Sequence, residues 1–186
     1  MQVSGNTSEI APRQVPTRDE KYMGLAFIHA SFSKDPNTQH GSQIVTCDNY
    51  PLGSGYNGPP AQYDDVEMDW SRPYKYKNII HSEINAIDHS DRNRLTGAII
   101  YVTGKPCAAC MLKIVAAGIA KVVYFSGRVY DGGSMMLDKK IFEDADEIAE
   151  KGGVIVEAFS GNLDWLSNRI KQLENMGVFR SNSKQV

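Results

Sequence analysis

One imidazole, two thiols and a carboxylate are concentrated in two short segments of this chain, His81-Ser82-Glu83 and Pro106-Cys107-Ala108-Ala109-Cys110. A fold that uses them has to bring both segments to one point. Neutral imidazole and two thiolates suit Zn²⁺, and three protein ligands leave a coordination position for water. Zinc lowers the pKa of such a water towards neutrality, which makes hydroxide available at physiological pH. Glu83 does not look like a ligand, but next to one it stands where it can shuttle protons. A closed structural site would need a fourth protein ligand. Cys47 could serve in principle, yet it falls on a hairpin and reads more ordinarily as a small buried apolar residue. A redox C-x-x-C pair is the other reading of Cys107 and Cys110, and it leaves His81-x-Glu83 unaccounted for.

The surrounding pattern alternates strands with helices. Thr17-Arg18-Asp19-Glu20 is a capping box that opens an amphipathic helix running to about Ser33. Gln43–Thr46 and Leu52–Tyr56, joined by a turn at Asp48-Asn49-Tyr50-Pro51, read as a hairpin. A long polar loop follows from Asn57 to Asn78, and loops of that length in compact domains are usually functional or disordered. A helix is expected from His81 to about Asp88, and a buried strand over Ala98–Thr103. Pro106 is expected to open the next helix, with Cys107 and Cys110 in its first turn. Residues three apart share a helix face, so both sulfurs can reach one ion, and the helix N-terminus favours their thiolates. Lys121–Phe125 and Val154–Phe159 read as strands, Met135–Glu150 as a helix, and Leu163 to Leu173 as a C-terminal amphipathic helix. This alternation predicts a layered α/β sheet with both half-motifs at helix starts near strand ends. Residues 1–16 read as a flexible arm, 17–176 as one domain and 177–186 as a polar tail.

With 186 residues, 41% of them hydrophobic and 23% charged, the chain has the profile of a soluble globular domain. A net charge of −2 argues against a broad polynucleotide surface but leaves room for a small anionic substrate. No apolar run approaches the roughly 20 residues that span a bilayer, and the N-terminus lacks the apolar core of a signal peptide. A cytoplasmic setting is the default expectation, and three cysteines make no disulfide framework.

The pattern H-x-E…P-C-x-x-C is the signature of the zinc nucleobase deaminases. Two further blocks, Ser33-Lys34-Asp35-Pro36-Asn37-Thr38-Gln39-His40-Gly41 and Gly55-Tyr56-Asn57-Gly58-Pro59-Pro60, narrow the match. With them, the chain resembles the deoxycytidylate deaminase branch of the zinc cytidine deaminase superfamily over about residues 20–160. The resemblance implies a three-layer α/β/α fold with a five-stranded mixed sheet. It implies a hydrolase acting on the C–N bond of a cyclic amidine: dCMP would become dUMP with release of ammonia, supplying thymidylate synthesis. It also implies a homo-oligomer, commonly a hexamer, with dCTP and dTTP as effectors and Mg²⁺ accompanying the triphosphate. A deaminase of dCTP or of a 5-substituted dCMP is a second reading, and a zinc-stabilised binding module without turnover a third.

Within the resemblance, His81, Cys107 and Cys110 are the ligands of one catalytic zinc and Glu83 is the proton shuttle. Asn57 matches the residue that contacts the substrate sugar, although Asn-Gly is also a common turn dipeptide. Ser33 and Lys34 lie where the nucleotide phosphate is met; a helix C-terminus also favours a solvated lysine. Tyr130 reads equally as a gate near the base or as a surface loop residue. The effector site is expected near the block that holds Gly55. The chain departs from the family pattern at Phe32, where arginine is frequent, at His40, where an apolar residue is usual, and at Ser42 and Ser82, where alanine is usual. Phe32 and His40 are thus candidate positions for altered specificity or effector response.

Overall fold

The computed structural model describes residues 13–64, 67–71, 73–127 and 135–176, the side chains of residues 135–139 excepted. Most of the expected arm, the whole tail and Tyr130 therefore lie outside the described residues. The element order is α1 (Arg18–Ala30), β1 (Gly41–Val45), β2 (Pro51–Tyr56), α2 (Ser82–Asp88), β3 (Ile99–Val102), α3 (Ala108–Ala116), β4 (Lys121–Tyr124), α4 (Met135–Gly152), β5 (Ile155–Ala158) and α5 (Asp164–Asn175). Short 3-10 turns occupy Tyr74–Lys77 and Arg92–Arg94.

The five strands form one mixed sheet in the order β2-β1-β3-β4-β5. β1 runs antiparallel to both β2 and β3, and β3, β4 and β5 run parallel. The two parallel connections carry α3 and α4, as parallel pairing requires a crossover. Because side chains alternate across a strand, β3 feeds two separate cores. Ile100 and Val102 join Ile44, Val122, Met111, Ile114 and residues of α2 and α4 on one face. Tyr101 joins Tyr22, Met23 and Ala26 of α1 with Val45 and Val123 on the other, where Leu163 also packs. Ile44, Ile100, Met111 and Ile114 are all 0% exposed, and each such side chain contributes about 2 kcal/mol by leaving water. The result is the three-layer arrangement expected from the sequence.

α1 begins as its capping box dictates: Thr17 Oγ1 accepts from the Glu20 amide, and the Thr17 amide donates to Glu20 Oε2 at 2.8 Å. It ends at Ala30, earlier than expected, because Ser31 to Ser33 turn out of the helix on hydrogen bonds to Phe27–Ala30 carbonyls. The larger difference is at the two half-motifs. α2 starts at Ser82 and α3 at Ala108, so His81 and Cys107 are N-caps and not first-turn residues. Pro106 precedes the cap and does not open the helix. Cys47 is exposed, not buried, because the strand ends at Val45 and Cys47 falls on the hairpin turn.

Candidate metal and proton-transfer site

The site lies beside the end of β3, where α2 and α3 both begin. β1 places Ser42 opposite Val102 of β3 and Gly55 of β2. Gly55 lets α2 lie directly on the sheet: a Cβ there would stand 2.4 Å from the Ser82 carbonyl oxygen and 2.5 Å from the Ala86 nitrogen. Close seating of α2 fixes where His81 stands.

Both cap residues have extended backbones, with φ −72° and ψ 154° at His81 and φ −77° and ψ 169° at Cys107. Neither makes the side-chain hydrogen bond that a serine or aspartate would make at an N-cap. Their side chains instead turn towards each other. His81 Nδ1 lies 3.6 Å from Cys107 Sγ and 3.3 Å from Cys110 Sγ, and the three donor atoms fall within 4.8 Å of one another. With Zn–S of about 2.3 Å and Zn–N of about 2.0 Å, tetrahedral coordination puts nitrogen and sulfur ligand atoms about 3.5 Å apart. The donors therefore fit one zinc ion in both type and spacing. Their exposure is graded: Cys110 is buried, Cys107 half-buried and His81 exposed, and His81 and Cys107 line a cavity.

From the protein groups alone, the cluster divides charge unevenly. Cys107 is pulled down to about 4, first by the Cys110 thiol donating to it and then by His81. His81 is pushed up to about 9, first by its hydrogen bond with Cys107. Cys110 is driven upward, first by that same Cys107 contact and then by burial. Glu83 is 5% exposed, and desolvation raises it above the ordinary carboxylate range against the pull of His81. One oxygen, Oε2, accepts from Ser82 Oγ at 2.9 Å.

A cavity of about 240 Å³ opens onto these groups, bounded by His81, Glu83 and Cys107 and by His40, Asn57 and Lys105. Asn57 is 5% exposed and uses both ends of its amide: Nδ2 donates to the Thr38 carbonyl at 2.9 Å, and Oδ1 accepts from the His40 amide at 2.6 Å. His40 lines the cavity with Nδ1 3.3 Å from Thr103 Oγ1. Ser33 Oγ donates to the Asn57 carbonyl at 2.7 Å and so supports the cavity wall from behind. Lys34 and Gly55 border a different cavity, of about 540 Å³, with His29, Tyr56, Asn85 and His89. Phe32 is 61% exposed and packs on Tyr56 with ring centroids 6.2 Å apart.

Sequence reasoning missed a buried ion pair. Lys75 Nζ lies 2.9 and 3.0 Å from the two carboxylate oxygens of Asp35, with both residues about 3% exposed. Asp35 Oδ1 also accepts from the amides of Asn37 and Thr38. The pair ties the long loop to the segment that carries His40, and it lines the same cavity. Nothing in the spacing of two ordinary charged residues announces such a contact.

Residues 16–126 match the family described as the cytidine and deoxycytidylate deaminase zinc-binding region. A deoxycytidylate deaminase of Pongo abelii is 35% identical over 130 residues, covering 67% of this chain and 73% of that one. The Homo sapiens deoxycytidylate deaminase is 35% identical over 129 residues, covering 66% and 72%. The fold also matches the crystal structure of a dCMP deaminase from the cyanophage S-TIM5 in complex with dCMP and dUMP. There the TM-score is 0.60 at 24% identity, over 79% of this chain and 100% of that one. This chain belongs to the cytidine and deoxycytidylate deaminase family, with the five-stranded α/β fold of its solved relatives.

Proposed function

We propose that the protein is a zinc-dependent hydrolase that converts dCMP to dUMP and ammonia. The observation that carries this reading is the three-donor cluster of His81, Cys107 and Cys110 with the buried Glu83 carboxylate beside it, at the floor of one cavity. The naming of its relatives as deoxycytidylate deaminases supports the choice of base and sugar.

His81 Nδ1 and the Cys107 and Cys110 sulfurs would hold the zinc, which when bound would acidify water and so supply the nucleophile. Glu83 does the proton work. Its carboxylate accepts the proton that water gives up and delivers it to pyrimidine N3 as oxygen adds to C4. It then takes the proton of the new C4 hydroxyl and passes it to the exocyclic amine, so that the C4–N bond breaks, C4=O forms and ammonia leaves. Desolvation keeps the Glu83 carboxyl ready to hold a proton between these transfers. Asn57 shapes the sugar end of the cavity through its hold on Thr38 and His40. Ser33 supports this wall, and Lys34 serves the phosphate or effector side.

Two measurements test the reading. Glu83→Ala retains stoichiometric zinc and loses kcat by about 10²-fold or more, the scale of lost acid–base catalysis; near-normal turnover overturns the role. Ammonia release compared across dCMP, dCTP, deoxycytidine and 5-methyl-dCMP gives the highest kcat/KM with dCMP. A clear preference for another member replaces dCMP as the substrate.

The second cavity, with Lys34, Gly55, Tyr56 and Asn85 on its walls, suits a nucleotide effector such as dCTP or dTTP, the triphosphate carrying Mg²⁺. A cytoplasmic hexamer belongs to the same reading. Phe32 and His40 are the positions where effector response and substrate choice would depart from those of relatives.

A further inference from the structure

Ser42 of β1 and Ser82 of α2 are partners in the fold. Ser42 Oγ donates to Ser82 Oγ at 2.7 Å, and Ser82 Oγ donates to Glu83 Oε2 at 2.9 Å. Ser42 and Ser82 are both 0% exposed. The direction of the chain is fixed by chemistry: an ionised carboxylate only accepts, and a hydroxyl has one proton to give. In the ionised form from which Glu83 takes up its first proton, Ser82 therefore donates to Glu83 and receives from Ser42. The contact exists because α2 is seated on the sheet at Gly55, the residue paired with Ser42 on β2. The chain ends at Ser42, which is 0% exposed within the sheet. It is a brace and not a proton wire.

We infer that Ser42 and Ser82 are positioning residues for the reaction, a buried hydroxyl pair that holds the Glu83 carboxylate by Oε2 beside the three-donor cluster. A glutamate side chain has three soft torsions, and an unrestrained carboxylate spreads over several rotamers. Displacing a reacting group by about 1 Å can cost as much as 10²-fold in rate, so a donor that removes this freedom acts on kcat. Ser42 does not line the cavity, and Ser82 borders it with its side chain turned to Ser42 and Glu83. Alanine fits either site without a clash, since it only removes an oxygen.

This inference rests on the reading of Glu83 as the proton shuttle, and the test separates the two. Kinetics with dCMP would be measured for Ser82→Ala, Ser42→Ala, the double variant, Ser82→Cys and Glu83→Gln, together with zinc content and urea midpoints. Ser82→Ala should lower kcat about tenfold with KM within about twofold and zinc retained. Ser42→Ala should have a smaller effect, and should add none in the Ser82→Ala background. Ser82→Cys should behave like alanine, because a thiol fills the space but donates weakly. Crystals of Ser82→Ala should show the Glu83 carboxylate in more than one rotamer. Unchanged kcat in Ser82→Ala, or a Ser82→Cys enzyme with full kcat, overturns the brace while an inactive Glu83→Gln upholds the shuttle. An active Glu83→Gln overturns the shuttle itself.

Discussion

Cys107 and Cys110 sit three residues apart, yet their thiols are driven in opposite directions, because the buried one serves as donor to the other. Between about pH 4 and about pH 9 the protein groups alone form a Cys107 thiolate, a His81 imidazolium and a Cys110 thiol. Zinc bound here would require a neutral imidazole and two thiolates, and so would displace one proton from His81 and one from Cys110. Zinc affinity of the chelator-stripped protein should therefore rise by about two log units per pH unit across neutrality, and fall correspondingly on acidification. Calorimetry in buffers of different ionisation enthalpy should count about two protons released; a count near zero would show that the cluster is already deprotonated. That these residues gather at one point was legible in the sequence, because ligand chemistry admits few side-chain types. Asp35 and Lys75 were not readable, since their pairing depends on how a loop of ordinary polar composition folds back over 40 positions. Cys47 was misread for a related reason: burial at a strand end depends on where the ladder stops.

The helices hold the site through their first residues, and those boundaries were the hardest to read. Histidine and cysteine are poor side-chain caps, so neither His81 nor Cys107 carries the usual start signal. Placed at the caps, their side chains leave the helix cylinder and converge. α1, which does carry a capping box, was located correctly at its start. The long loop from Asn57 to Asn78 has its own anchor in the 3-10 turn Tyr74–Lys77, which delivers Lys75 to Asp35. Removing one partner of such a pair leaves a buried charge unmatched and costs about 3–5 kcal/mol, whereas replacing both often costs little. Lys75→Met should therefore destabilise the protein by about 3 kcal/mol in urea titrations and raise KM, because the Asp35 side chain that fixes the Thr38 amide loses its partner. Lys75→Met with Asp35→Asn should recover part of that stability. Equal losses in the single and double variants would show that the pair contributes through packing alone.

The sheet separates two cores that do different work. The face of Ile44, Ile100, Met111 and Ile114 supports α2 and α3, and with them every donor of the site. The opposite face, built from α1, Tyr101, Val123 and Leu163, contributes no residue to the metal cluster. α5 closes that second face by laying Trp165 on Gly24, where even an added Cβ would come within 2.8 Å of the indole ring. The indole Nε1 is buried and, among the described residues, finds no acceptor. The ring therefore stabilises by contact area while its N–H works against it. Trp165→Ala should lower stability by about 2 kcal/mol, less than a fully buried tryptophan because the ring is only partly covered. Trp165→Phe should cost under about 1 kcal/mol, since it keeps most of the ring and removes the unpaired donor. Neither change should move kcat or zinc content. Met111→Ala, on the other face, should lower stability by about 3 kcal/mol and reduce kcat with it, because α3 carries Cys110 and its N-cap is Cys107. Urea midpoints set against kcat for these three variants give the test: if Trp165→Ala reduces turnover as much as Met111→Ala does, the two faces are coupled and the site depends on the whole sandwich, not on one side of it.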